Sequence, residues 1–229
     1  MVTLVVSPSA LHGDRVEVEG DEYRHLFRAL RLGPGDALRV VDGRGGARFG
    51  RVDAIERRRA WVCLDAPAPS NEPARRVELA IATIRPERAA WAVEKATEVG
   101  AAAVHWFGCE RAPRRYGEGQ LERLRRVAVA AVGQCGRSVV PEVGTLTWEA
   151  LLARVSSRST VVLDPGGEPP AVAGGDPGLL IVGPEGGLCA AELDALVAAG
   201  AVRRRLGTAI LRTETAAVLA CGIAVCSTG

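Results

Sequence analysis

Three short segments in the second half of the chain combine residue types that let backbone groups come close to a ligand. They are LDPGG at 163–167, GPEGG at 183–187 and LGTAILRTETA at 206–216. Glycine has no Cβ, so GPEGG permits tight turns and lets amides and carbonyls approach a bound molecule, which suits an adenosyl group. It matches neither G-x-G-x-x-G nor a phosphate loop, so the dinucleotide and triphosphate readings lack their motif. A turn that merely joins a strand to a helix would use the same residues. RTETAAVLA opens an apolar helix in which Thr213 or Thr215 can cap, and Glu214 sits where a carboxylate favours the helix N-terminus. Capping leaves Arg212 unexplained, because its charge lies at the unfavourable end of the helix dipole. In QCGR, Gln134 and Arg137 stand at a helix-to-strand junction, free to meet a ligand or to satisfy backbone carbonyls.

Such loops bind ligands at the carboxyl ends of strands in an open α/β sheet, and the chain from Val77 onward has that alternation. VELAIATI reads as a strand and PERAAWAVEKATEVG as a helix, with Pro86 at its start and Gly100 at its C-cap. AVHWF, a helix from Glu118 to Val132, a strand near Val139 to Val143 and a short helix around Trp148 follow. TVVLD, GLLIVG, a helix from Ala190 to Ala199, a strand ending at Leu206 and a helix after Arg212 complete the series. Repeated βα units imply a mostly parallel sheet covered by helices.

The first seventy residues differ. Val2 to Val6, Arg15 to Glu19, Ala37 to Val41, Ala47 to Ala54 and Ala60 to Leu64 read as short strands between Gly, Pro and Asp turns. One helix interrupts them, from Asp21 to about Leu32, with Tyr23, Leu26, Phe27 and Leu30 on one face and Arg24, Arg28 and Arg31 on the other. The segment between Asp65 and Arg76, rich in Pro, Ser and Asn, reads as a linker. The expected domains are therefore 1–70 and 71–229.

Composition permits several partners. Hydrophobic residues are 48% of the 229 and aromatics 4%, so the core is built from Ala, Val and Leu. The net charge of +2 does not by itself point to nucleic acid. Of 29 basic residues only Lys95 is a lysine; the arginine fork suits phosphates and stacked bases, but biased codon usage gives the same ratio. Six cysteines lie without a C-x-x-C pair or a histidine cluster of zinc spacing, so no metal site is expected. MVTLVVSPSA lacks the basic and apolar regions of a secretory signal, and no apolar run is long enough for a bilayer. A cytoplasmic location with reduced thiols, and no membrane partner, is the expectation.

Together the segments resemble RsmE, the bacterial 16S rRNA (uracil-N3) methyltransferase family of the SPOUT class. RHLFRALRLGPGDALRVVDG, EKATEVGAAAVHWFGCER, QCGRSVVPEV, LIVGPEGGLCAAEL and LGTAILRTETAAVLA occur in the family's order, nearly end to end. The resemblance implies a small PUA-like β-barrel over 1–70 that binds RNA. It implies a SPOUT-type parallel sheet with a C-terminal trefoil knot over 71–229. S-adenosylmethionine as cofactor, a homodimer, and a uridine in 16S rRNA or the small ribosomal subunit as substrate follow from the same resemblance. Cofactor contacts fall on Leu163, Gly183, Pro184, Glu185, Gly186, Gly187, Leu206, Gly207, Ile210, Leu211 and Thr215. Two positions depart from the pattern: Gly133 stands where the family commonly has Glu, and Thr208 and Ala209 where it commonly has Pro-Arg.

Uridine N3 carries a proton, so methylation needs a base or cations that stabilise charge on the flanking oxygens. Arg212 is the expected cation, and Glu214 and Glu185 are the candidate bases, though either carboxylate could simply brace its loop. Arg24, Arg28, Arg31, Arg111 and Arg137 are the expected phosphate contacts. The rival readings are a non-catalytic RNA-binding protein with a relic cofactor pocket and a SPOUT enzyme with a different RNA target. An α/β oxidoreductase lacks its glycine fingerprint.

Overall fold

The computed structural model describes residues 1–112, 115–169 and 178–226. The chain divides into two compact units, one of Met1–Glu72 with Val129–Val140, the other of Pro73–Ala128 with Pro141–Gly229.

The first unit holds β1 (Thr3–Val5), α1 (Pro8–Leu11), β2 (Arg15–Glu19), α2 (Gly20–Tyr23), β3 (Ala37–Val41), β4 (Ala47–Ile55) and β5 (Arg59–Pro67). The strands form one sheet in the order β1-β3-β4-β5-β2, antiparallel except where β1 runs beside β3. Strict alternation explains β2: Val16 and Val18 are buried while Arg15, Glu17 and Glu19 face solvent. Gly50 is dictated by packing, since a Cβ there would lie 2.8 Å from Val62 Cγ1 and 3.0 Å from Val40 Cγ2.

Two expectations change in this unit. The helix foreseen from Asp21 to Leu32 is α-helical only over α2 and continues as a π-helical segment, Arg24–Ala29. Leu30 N donates to His25 O at 3.0 Å, an i to i−5 bond, so the 3.6-residue period fails. Tyr23, Leu26 and Phe27 stay buried, but Leu30 turns outward and Arg31 ends the segment at φ 59°. The linker, too, is built in. Asn71 Nδ2 donates to Gly136 O at 2.5 Å, and Glu72 accepts from Ser138 N at 2.6 Å and Val139 N at 2.9 Å.

The second unit is a six-stranded, fully parallel sheet of β6 (Glu78–Ala82), β7 (Ala103–Phe107), β8 (Glu142–Leu146), β9 (Thr160–Glu168), β10 (Leu179–Val182) and β11 (Val202–Arg204), in the order β11-β9-β10-β6-β7-β8. Its helices are α3 (Pro86–Val99), α4 (Glu118–Cys135, whose last turns belong to the first unit), α5 (Trp148–Ser156), α6 (Ala190–Ala198) and α7 (Thr213–Cys226). The central strands β6, β7 and β10 are mostly apolar, interrupted by Glu78 and His105, and buried except at Glu78, as a strand covered on both faces must be. Gly100 closes α3 at φ 105°, where a Cβ would strike Pro73 Cγ at 2.5 Å.

Two further expectations change here. LDPGG is no loop: β9 runs through it to Glu168 beside β11, with a register shift at Arg203/Arg204 and Gly167 against the Arg204 backbone. The strand expected near Val139 to Val143 is cut by Pro141. Val140 N donates to Gly43 O in the first unit, and β8 begins at Glu142. Among the described residues no helix is long and apolar enough to cross a membrane.

Candidate functional site

Strand order places the site. From β6 the chain moves outward to β7, whereas from β10 it moves to the other side, to β11, and β6 and β10 are neighbours. The crevice at their carboxyl ends is where an open α/β sheet holds ligands. The turn 183–187 leaves β10 at this point, and α3 begins there after β6.

The described residues enclose a cavity of about 160 Å³ here. One wall is Leu163, Asp164 and Pro165 of β9. A second is Gly183, Pro184, Glu185, Gly187 and Leu188. The third is the segment from Leu206 to Leu211, closed by Thr213 and Ala216 at the start of α7. Nine of the eleven expected cofactor residues line it; Gly186 and Thr215 do not. Asp164 and Thr213 line it without having been foreseen as contacts.

The second wall is held by side chains from distant parts of the sequence. Thr213 Oγ1 donates to Gly183 O at 3.0 Å, so this hydroxyl ties two loops together rather than capping α7. Arg111 Nη1 donates to Gly186 O at 2.9 Å, and Arg88 Nη1 meets Glu185 Oε1 at 2.7 Å. Within the turn, Gly187 N donates to Pro184 O at 2.8 Å with Gly187 at φ 71°. The opposite segment is open, and Ile210 is 85% exposed although it lines the cavity.

The two candidate bases sit differently. Glu185 lines the cavity and is exposed, while Glu214 is buried outside the lining. Arg88 Nε lies 3.7 Å from Glu214 Oε1, so one guanidinium spans both carboxylates, and among the described residues Glu214 Oε2 is buried without a hydrogen-bond partner. Arg88 escaped sequence reading because its role appears only when residues 88, 185 and 214 meet; its place in the first turn of α3, an unfavourable end for a cation, was the available signal. Arg212 is exposed beside the cavity wall, and its carbonyl accepts from Ala216 N at 2.8 Å. Burial, opposed by a hydrogen bond to Ile84 and reinforced by the charges of Glu185 and Glu87, pushes Tyr116 up to about 12, so it stays a phenol. Burial and the charge of Glu192 push the Cys109 thiol to about 11, which leaves it a poor nucleophile.

The residues present fit an adenosyl sulfonium group. Leu163, Val182, Leu188, Leu206 and Leu211 give apolar walls and Gly183 and Gly187 bare backbone, while the carboxylates at the wall, Asp164 and Glu185, are paired with Arg203 and Arg88. The expected phosphate contacts differ in how free their guanidinium groups are. Arg24 is exposed and paired with Asp21, Arg28 Nη2 donates to Arg57 O at 3.1 Å, and Arg31 is exposed. Arg137 is buried and grips Glu72 Oε2 through Nη2 at 2.7 Å and Nε at 3.0 Å, which leaves it little surface for a phosphate.

Comparison with known proteins places this geometry. Residues 70–225 match the RNA methyltransferase domain and residues 18–62 the RNA methyltransferase PUA domain. Fold and site thus define an RNA methyltransferase with an α/β catalytic domain and a PUA domain. A Mycobacterium bovis protein named Ribosomal RNA small subunit methyltransferase E is 35% identical over 227 residues, covering 90% of this chain and 84% of its own length. The like-named protein of Synechocystis is 29% identical, covering 95% of this chain and 75% of its own. The crystal structure of the Neisseria gonorrhoeae protein of that name, bound to S-adenosyl methionine, superposes with a TM-score of 0.87 at 26% identity, covering 96% of this chain and 95% of that one. The chain belongs to the ribosomal RNA small subunit methyltransferase E family.

Proposed function

We propose that this protein transfers a methyl group from S-adenosylmethionine to N3 of a uridine in 16S ribosomal RNA. The observation that carries the reading is the cavity shared by the 183–188 turn, the 206–211 segment and the start of α7, in a chain of this family. S-adenosylmethionine supplies an electrophilic methyl when bound. Everything else is the work of this chain's own groups.

Backbone at Gly183, Gly187, Leu206, Gly207 and Leu211, with the apolar wall at Leu163, holds the adenosyl moiety. Glu185 is the carboxylate set to receive the N3 proton, because it lines the cavity; Glu214 is buried outside the lining. Arg212, exposed at the cavity edge, stabilises the charge that develops on the uracil oxygens as the proton leaves. Positioning by the tethered turn supplies much of the remaining acceleration.

The finer parts of the reading are three. The threading of the C-terminal segment is a trefoil knot, as the family resemblance implies. The protein is a homodimer: Trp91 on α3 and Leu219 and Ile223 on α7 are large apolar side chains left 40%, 44% and 50% exposed on two helices that pack together. Arg24, Arg28 and Arg31 grip RNA phosphates. Mass mapping of 16S rRNA from a strain lacking the gene tests the central claim, which expects the loss of one N3-methyluridine. An unchanged methylation map refutes it. Calorimetry with S-adenosylmethionine separates an enzyme from an RNA-binding relic, since a relic shows little affinity.

A further inference from the structure

Arg88 is the residue whose position the proposed chemistry leaves unexplained. It lies in the first turn of α3, after β6, at the end of a helix where a cation is disfavoured. Two carboxylates have gathered around it, one from the turn after β10 and one from the first turn of α7. Its side chain is 30% exposed, that of Glu185 43%, and that of Glu214 9%, so the group runs from Glu185 on the cavity wall to Glu214 buried outside the lining. Each comes from a different element, and the three elements are the ones that meet at the switch of strand order.

We propose that Arg88 is a positioning residue for methyl transfer: its guanidinium locks the Glu185 end of the 183–187 turn onto the N-terminus of α7 and so holds the cofactor wall ready before anything binds. The planar fork suits this role, because its separate N–H edges meet two carboxylates at once, which a lysine ammonium does less well. Among the described residues the wall is also tethered by Thr213 on Gly183 and Arg111 on Gly186, and both act on backbone oxygens. Of the described residues, Arg88 is the tether that meets the Glu185 side chain and the buried Glu214. Without it Glu214 loses its cationic neighbour in a site where, among the described residues, Oε2 already has no donor, and the start of α7 must rearrange.

The inference deepens the proposed reaction and rests on it for the identity of the ligand, so its test reads the free protein as well. In the full cofactor-free chain, Arg88→Ala raises the amide exchange rate of peptides spanning 183–188 by about tenfold while peptides spanning β7 keep their protection. Glu185→Gln reproduces part of the effect, and Arg88→Ala with Glu185→Gln together is no looser than Arg88→Ala alone, as expected of residues acting as one unit. Arg88→Lys falls between, and Arg88→Gln takes the place of Ala if that variant does not fold. Calorimetry on the same proteins finds S-adenosylmethionine bound about tenfold more weakly without Arg88, with kcat at saturating cofactor reduced far less. Loop exchange unchanged in Arg88→Ala or Arg88→Gln, or a double variant with strictly additive effects, overturns the proposal. If the wild-type protein binds no S-adenosylmethionine while Arg88→Ala still loosens the turn, the reaction assignment fails and the role of Arg88 stands.

Discussion

Replacing Gly183 by alanine tests whether the cavity wall is as tightly set as its contacts imply. A Cβ on Gly183 would stand 3.0 Å from Leu188 Cγ and 3.2 Å from Leu188 N. Carbon atoms pack at about 3.5–4.0 Å, so the methyl demands roughly 0.5 Å of movement. Neither neighbour yields easily: Leu188 is buried in the core cluster beneath the sheet, and its amide belongs to the same turn. A shift of that size carries the Gly183 carbonyl from 3.0 Å to the limit of its bond with Thr213. Overpacking costs about 1–3 kcal/mol, and the weakened hydrogen bond about 1 kcal/mol. Borne by the binding-ready conformation of the wall, the low end of that sum, about 2 kcal/mol, corresponds to roughly 30-fold in affinity, at about 1.4 kcal/mol per tenfold. Calorimetric titration of Gly183→Ala with S-adenosylmethionine should show that loss, and thermal unfolding a Tm lower by a few degrees. Affinity within twofold of wild type and an unchanged Tm would falsify the packing argument, because the turn would then have room to spare.

Thr213→Val keeps the shape of a buried side chain and removes only the hydroxyl that meets Gly183 O. Cofactor affinity should fall about five- to tenfold, the net worth of one hydrogen bond, and equal binding by calorimetry would mean that water replaces the contact without loss. Arg212→Ala should bind S-adenosylmethionine almost normally and lose most turnover on RNA; unchanged turnover in a methyl-transfer assay removes Arg212 from the mechanism. Glu72 and Glu78 give the protein an acid-sensitive component. Burial pushes Glu72 up, but hydrogen bonds from Arg137, Ser138 N and Val139 N outweigh it; burial likewise opposes and Arg158 and Arg154 overcome it at Glu78, so both sit below the usual 4.5. A lowered carboxylate stabilises the fold above its unfolded value and stops doing so as pH falls through the lowered one. In urea titrations, the stability gap between wild type and Glu72→Gln should be widest near neutrality and narrow below about pH 4.5; a gap that stays constant down to pH 3 contradicts the ion-pair account.

The sheet of the second unit was legible because its strands are apolar runs separated by helices with proper ends; Pro86 and Gly100 mark α3 at both termini. Most cavity residues were legible as well, since glycine-marked turns after strands are where backbone comes close to ligands. Misreadings have local causes. A run of Tyr23, Leu26, Phe27 and Leu30 satisfies a 3.6-residue period whether or not the backbone widens to a π turn, so the exposure of Leu30 was hidden. Pro and Gly in LDPGG argue for a loop, yet an edge register shift beside β11 lets β9 continue through them. The polar stretch before Arg76 looked like a linker because nothing in it is apolar. Its order comes from Glu72 and Asn71 bonding to residues sixty-five or more positions away, which no periodicity records.

The arginine excess now has a physical use that composition left open between nucleic-acid contact and codon bias. Arg48 donates to the carbonyls of Leu11, Gly13, Leu64 and Asp65, and Arg39 reaches Pro69 O, Asn71 Oδ1 and Ser138 Oγ. Arg137 closes on Glu72, Arg111 on Gly186, and Arg88 on Glu185 and Glu214. In a protein with few aromatic side chains to lock its loops, a five-donor planar group that meets several acceptors at fixed angles performs that task. A lysine carries the same charge and cannot hold that geometry. Arg48→Lys should therefore keep the net charge of +2 and still destabilise the first unit, by about 1–2 kcal/mol, since carbonyls that lose their donor are partly buried. Urea unfolding of Arg48→Lys with an unchanged midpoint would show that charge alone suffices, and the arginines would then owe their number to codon usage.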